Sequence, residues 1–308
     1  MIKYILKRLI SLIPVIIGAT LIVYLILSMA QGDPARIILG EDATPERVTE
    51  LREEMGLNDP VLLQYGRYMI NLVRGDMGIS YHSGGPVADE IFARLPNTIW
   101  LAFVSVTICV VLALPLGTIA AIKQNSIVDG VCMVLSLLGV SMPSFWLGLL
   151  LIMLFSLTLG WLPSFGADSW QSVILPAFTL AVSSMASVAR IARASMLEVI
   201  RQDYIRTARS KGISKGQVIW RHALRNAMIP TMTSIGLQMG FLLSGSVLVE
   251  SVFSWPGIGR LMITSILQRD IPTVVGCIII FAICFSVVNL IVDLLYGFVD
   301  PRMKSQYA

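Results

Sequence analysis

Six apolar segments, at residues 9–29, 98–122, 131–159, 173–189, 228–252 and 273–298, confine this chain to a lipid bilayer. Each is near the ~20 residues of helix needed to cross a hydrocarbon core. No water serves the backbone inside that layer, so polar groups must be satisfied within helices, and the pattern predicts an all-α integral membrane protein with six transmembrane helices. Composition agrees: 56% of the 308 residues are hydrophobic and 14% charged, where soluble domains carry roughly 25% charged residues. The fourth segment is the weakest. It is short, carries Ser183, Ser184 and Ser187, and starts near Pro176, so it suits packing among other helices better than exposure to lipid.

Positive residues set the orientation. With the N-terminus in the cytoplasm, fifteen of the 23 Lys and Arg fall inside: Lys3, Lys7, Arg8, Lys123, nine between Arg190 and Arg225, Arg302 and Lys304. Residues 31–96, on the other side, hold six more, but eleven acids offset them and a long loop weighs little. Both termini are therefore expected in the cytoplasm. The net charge of +4 follows from this asymmetry, so no nucleic-acid partner is expected. Ser28 and Ala30 could imitate a signal-peptide cleavage site, but an apolar run of about 20 residues exceeds the roughly 7–15 of a signal core, which favours an uncleaved first span.

This divides the chain into a first helix (1–30), an extracytoplasmic segment (31–96), a transmembrane core (97–300) and a cytoplasmic tail (301–308). In the second part, 45–56 reads as a short helix with Thr44 as cap, and apolar Val48, Leu51 and Met55 stand at helical spacing. An amphipathic stretch at 60–73, turns at Gly75 to Ser80 and Ser83 to Pro86, and a short helix at 87–94 follow. The segment is too small for an independent domain and should pack on the spans, as a solvated loop or as a docking surface for an extracytoplasmic partner.

Catalytic and metal chemistry find little support. Cys109, Cys132, Cys277 and Cys284 lie in or beside spans with no C-x-x-C pair, and read as small buried hydrophobes. His82 and His222 fall on opposite sides of the membrane, and neither lies at the depth of Ser244, so no nucleophile has a base. Neither Gly212 to Gly216 nor Gly117 to Lys123 has the spacing of a phosphate-binding G-x-x-x-x-G-K-[ST] loop, so the chain itself should not hold ATP.

The polar interval 194–227, between the fourth and fifth spans, is the candidate site. Residues 203–211 suit a helix, Gly212 a sharp turn, and Ser214 a cap with Gln217 three residues on, opening a second helix that runs into the fifth span. Arg206, Arg209, Lys211 and Lys215 surround the small Ala208. Such an element can seat in a groove of a soluble protein, or it can be a loop that only fixes topology. Within the spans, Pro143 should kink the third and Gly236 with Gly240 should let another helix approach the fifth. Glu250 and Asp293, near span ends, suit caps or ion pairs.

Residues 206–212 (Arg-Thr-Ala-Arg-Ser-Lys-Gly), with Arg221 to Ala227 and Pro230, resemble the EAA loop of ABC importer permeases, specifically the dipeptide/oligopeptide/nickel branch. Further likenesses are Gly32-Asp33-Pro34, Gly75 to Ser80, Trp161-Leu162-Pro163, Glu250 to Arg260, Asn289 to Asp293, and Asp300-Pro301-Arg302, so the resemblance runs end to end. Thr207 stands where the wider superfamily has its name-giving glutamate, and Pro230 comes about five residues late; both features resemble the peptide branch.

The resemblance implies the type I ABC importer permease fold in a prokaryotic plasma membrane. It implies a second, homologous permease subunit, two ABC ATPase subunits that bind ATP and Mg, and an extracytoplasmic substrate-binding protein. Arg206, Thr207, Ala208, Arg209, Lys211, Gly212 and Ser214 would form the ATPase-coupling interface. The implied substrates are di- and oligopeptides, with nickel, a metal-chelator complex or glutathione as alternatives.

Overall fold

Small residues decide how closely these helices pack. In the computed structural model, which describes residues 2–29, 33–40 and 42–299, the central helix is α8 (Ile174–Ile200), whose Ala177, Ala181, Ala186, Ala189 and Ala192 are buried. Around it lie α5 (Val87–Ile122), α6 (Ile127–Ser141) and α11 (Leu224–Val252). A Cβ on Gly117 of α5 would stand 2.5 Å from the Ala189 carbonyl oxygen, and one on Gly139 of α6 would stand 2.7 Å from Val182 Cγ1. Only glycine permits these approaches.

The remaining helices are α1 (Ile2–Ser28), α2 (Pro34–Leu39), α3 (Pro45–Glu54), α4 (Val61–Val73), α7 (Ser144–Leu151), α9 (Asp203–Ser210), α10 (Lys215–Gln217), α12 (Ile258–Leu267) and α13 (Ile271–Val299). Among the described residues the only extended pairing is one isolated bridge, Ile79 to Pro86. Among the described residues four helices are long and apolar enough to cross a membrane: Ile10–Ser28, Val87–Ile122, Trp170–Ile200 and Ile271–Leu294. Two bent pairs qualify if each is one span: Ile127–Ser141 with Ser144–Thr158, bent by 102°, and Pro230–Leu243 with Ser246–Val252, bent by 51°.

Several elements differ from the sequence expectation. The fourth segment is longer than 173–189 and forms the core: 72% of its most apolar window is buried, against 11% for α1. Its serines face neighbours and its own backbone, and the Ser183 hydroxyl donates to the Thr179 carbonyl at 3.2 Å. The 87–94 helix is not separate. It continues through Pro96 into the second span, because Val87 and Ile91 are locked into a cluster with Ile258, Cys277 and Ile280 that outweighs the one hydrogen bond a proline removes. Thr44 stands at the start of α3, but its side chain makes no capping bond. The third segment is not one continuous helix but breaks at Met142-Pro143 into α6 and α7.

The glycines of the fifth segment act in packing. A Cβ on Gly240 would come 2.7 Å from the Phe285 ring of α13, and one on Gly236 would collide with Val292. The segment holding α2 to α4 docks at the end of the bundle opposite α9. There Tyr65 of α4 donates to the Ile17 carbonyl of α1 at 3.0 Å and meets the Tyr24 ring edge-on. The tail 301–308 and Gly32 lie outside the described residues.

Candidate functional site

The polar interval folds as a helix, a turn and a second helix. α9 ends where the Gly212 N–H donates to the Arg209 carbonyl at 3.0 Å, and Gly212 takes φ +79°, a left-handed conformation that glycine adopts without Cβ strain. The Ser214 hydroxyl then accepts from the Gln217 N–H at 3.4 Å and opens α10, which continues through the wide turn Val218–Ala223 into α11.

This element is anchored by its own core. Ile205 of α9 is fully buried with Met196 of α8, Ala121 of α5, and Val218, Ala223 and Ala227 of the following helix. The Asn226 amide donates to the Tyr204 hydroxyl at 2.8 Å, a second tie between α9 and α11. α9 is therefore tied to α8 and to the helix running into α11 at once.

Six of the seven expected interface residues, Arg206, Thr207, Arg209, Lys211, Gly212 and Ser214, are exposed on this element. Ala208 is half-buried and packs on the Ile205 cluster, where its small size lets α9 sit close to the bundle. Exposed Tyr204 and Trp220 add aromatic surface beside the cations. Sequence reasoning missed Ile205 and these two aromatics. The signal was present in Ile205, the one large aliphatic residue in a mostly polar helix. Such a surface, cationic with aromatic anchors on a rigid base, suits docking to another protein.

Next to it, Arg193 of α8 forks onto Asp129 of α6, with Nε to Oδ1 at 2.7 Å and Nη2 to Oδ2 at 2.6 Å. The pair fixes the start of α6 to the helix that leads into α9.

Two polar knots hold the opposite end. Glu250, fully buried, accepts from the Thr98 hydroxyl at 2.9 Å, the Ser246 hydroxyl at 3.1 Å and the Arg260 N–H at 3.1 Å, so its carboxyl group caps α12. The Trp255 indole N–H donates to the Asn97 carbonyl at 3.1 Å, and the Asn97 amide donates to the Pro256 carbonyl at 2.9 Å. In the second knot, buried Asp270 accepts from Ser80 at 2.5 Å and Thr273 at 2.7 Å, tying the loop after α4 to the start of α13. Nearby, burial raises the Tyr68 and Tyr81 phenols well above their ordinary range. Asp293, the other ionisable residue singled out, pairs with Arg8 of α1.

Known proteins resemble the chain over its length. Residues 113–305 match the family described as binding-protein-dependent transport system inner membrane component, and residues 1–102 match its N-terminal companion. The chain is 45% identical over 304 residues, 99% of each protein, to the glutathione transport system permease protein GsiC of Escherichia coli (strain K12), and equally to that of Shigella dysenteriae serotype 1 (strain Sd197). Among solved structures, a chain of the inward-facing MetNI methionine ABC transporter superposes with TM-score 0.59 at 17% identity, covering 68% of this chain and 96% of that one. An amino acid ABC transporter with histidines gives 0.53 at 19% identity, covering 68% and 94%.

Proposed function

Because the chain belongs to the binding-protein-dependent transport system inner membrane components, and is a multi-pass permease subunit of an ABC importer, we propose that it forms half of a translocation path for di- or oligopeptides. In this reading the path is completed by a second, homologous permease, a binding protein delivers substrate from outside, and two ATPase subunits bind ATP and Mg on the cytoplasmic side. The chain crosses six times, with each bent pair as one span, and both termini lie in the cytoplasm, in keeping with the distribution of Lys and Arg.

The observation that carries the proposal is the anchoring of α9. Its cationic face is open while Ile205 is fully buried between α8 and α11, so a push from a docked ATPase moves both spans. ATP-driven closure of the ATPases against Arg206, Thr207, Arg209, Lys211, Gly212 and Ser214 would then shift the bundle between inward-open and outward-open states, with Ala208 setting the depth at which α9 sits. The break at Met142-Pro143 is the best candidate for the path lining. It leaves non-helical backbone at membrane depth beside exposed Ser141, which is tolerated where it meets protein or a water-filled cavity.

The likeness to permeases named for glutathione transport makes glutathione, itself a short peptide, the first substrate to test. Nickel or a metal-chelator complex remains the alternative. Proteoliposomes holding both permeases and the ATPases, supplied with the cognate binding protein, should accumulate labelled peptide only with ATP inside the ATPase compartment. Equal uptake without the ATPases would instead make the chain a motor-independent carrier.

A further inference from the structure

One face of α8, the most enclosed helix, is left uncovered. Ser183, Ser187, Arg190, Ala194 and Glu198 recur every three or four residues and so share a face, on which Arg190, Ala194 and Glu198 are exposed and the two serines half-buried. Nearer the start of α8 the same face is covered, since Pro176 and Leu180 are buried. The uncovered stretch therefore runs from mid-helix toward α9, and it is mainly polar, with exposed Ile191 at its edge.

Arg190 lies at membrane depth. A Cβ on Gly117 would meet the Ala189 carbonyl oxygen and the Arg193 backbone nitrogen, so Arg190 stands level with the turn of α5 that follows Gly117. At or beyond that level α5 exposes Ile119 and Ile122, while α6, between its α8 contacts at Asp129 and Gly139, exposes Val131 and Val134. These two helices turn apolar side chains outward where α8 turns hydroxyls and a guanidinium. An arginine at such depth faces protein or a water-filled cavity. Arg193, one turn further on, has its acid in Asp129, whereas among the described residues Arg190 has no ion-pair or hydrogen-bond partner. Glu198, the acid on the same face, stands about 12 Å away along the helix. The planar fork of Arg190 donors is left for a carboxylate from outside the chain.

We infer that the face from Ser183 to Ala194 is this chain's wall of the translocation path, and that Arg190 receives the carboxylate of the passing substrate. The inference rests on the reading of the chain as half of a peptide path, and adds that its substrates are carboxylate-bearing anions. Gly139 packs on Val182, so the break at Met142-Pro143 lies within about a turn of Ser183 in depth and borders the same part of the path.

The test uses the complex this chain forms in membranes, reconstituted with its binding protein. A charged, membrane-impermeant methanethiosulfonate should label Ser187→Cys and Arg190→Cys but not Ile119→Cys or Val131→Cys. Arg190→Gln should cut ATP-dependent uptake of glutathione about tenfold or more, the size of one lost charge-assisted contact, and Arg190→Lys should keep most of it. Modifying Arg190→Cys with the aminoethyl reagent, which restores a cation, should recover uptake, and the sulfonatoethyl reagent should not; a merely structural role would not follow the sign of the charge. A peptide with a photoreactive C-terminal side chain should cross-link to residues 183–194 during turnover. Unlabelled Ser187→Cys and Arg190→Cys, or undiminished uptake by Arg190→Gln, would overturn the proposal. Peptide adducts confined to other helices would overturn it too, since lipid or the second permease would then cover this face. If the unaltered complex takes up no peptide, the peptide reading fails and the carboxylate role with it, while labelling still decides whether this face lines a path.

Discussion

Removing the Glu250 carboxyl group should loosen the end of the bundle opposite α9. Three donors converge on it: the hydroxyls of Thr98 and Ser246 and the N–H of Arg260. In Glu250→Ala the two hydroxyls can rotate, and Ser246 already reaches the Leu243 carbonyl at 3.0 Å. The Arg260 amide is fixed by the start of α12 and stays unpaired. One buried unsatisfied donor costs about 1–3 kcal/mol, and the emptied space beside Gly257 and Gly259 adds a cavity, so the loss should total about 3–5 kcal/mol.

Glu250→Gln discriminates between lost polarity and lost volume. Its amide oxygen can keep the Arg260 bond while its NH₂ turns to the Thr98 oxygen, so the cost should be about 1–2 kcal/mol. Equilibrium unfolding in mixed micelles, followed by tryptophan fluorescence that includes buried Trp255, reads both values. If Glu250→Ala unfolds within about 1 kcal/mol of the parent, or Glu250→Gln is as damaging as Glu250→Ala, the polar knot does not hold the helices as argued.

Other consequences are open to measurement. Nothing lies within 4 Å of a Cβ on Gly212, so Gly212→Val should cost only the ~1–2 kcal/mol of left-handed strain and still insert, yet misaim the turn and cut ATP-dependent uptake at least tenfold; unchanged uptake would refute the coupling role. Single changes Asp129→Leu or Arg193→Met should each destabilise by about 2–4 kcal/mol, less than for a fully buried pair because Arg193 keeps some access to solvent, while Asp129→Leu with Arg193→Met should recover most of that loss in a double-mutant cycle. The raised Tyr68 and Tyr81 phenols favour the neutral form in the folded state. Their contribution is complete below the unfolded value near 10 and is lost as pH rises beyond it, so proteolysis of the 31–96 segment should accelerate only in strong alkali.

The sequence alone determined the solvent, the helical class and the position of the polar interval, because bilayer hydrophobicity and helix punctuation are local properties. Thr98 to Ile122 and Thr273 to Phe298 read as spans from their apolar length, and Gly212 with Ser214 marked the turn before any contact was known. Family membership was legible for the same reason, through short ordered motifs such as Glu250 to Arg260.

Tertiary structure decided which of these residues bear on one another. Hydropathy ranked the 173–189 segment lowest, yet it is the most enclosed helix, since its serines and alanines suit contact with protein and a transfer scale counts only preference for lipid. Nothing local joins Thr98 to Glu250, Ser80 to Asp270, or Asp129 to Arg193, pairs separated by 152, 190 and 64 residues. Likewise the packing of Ala208 against the Ile205 cluster could not be read from its charged neighbours in sequence. Hydrogen bonding and close packing depend on which helices the fold brings side by side, and a linear pattern cannot state that.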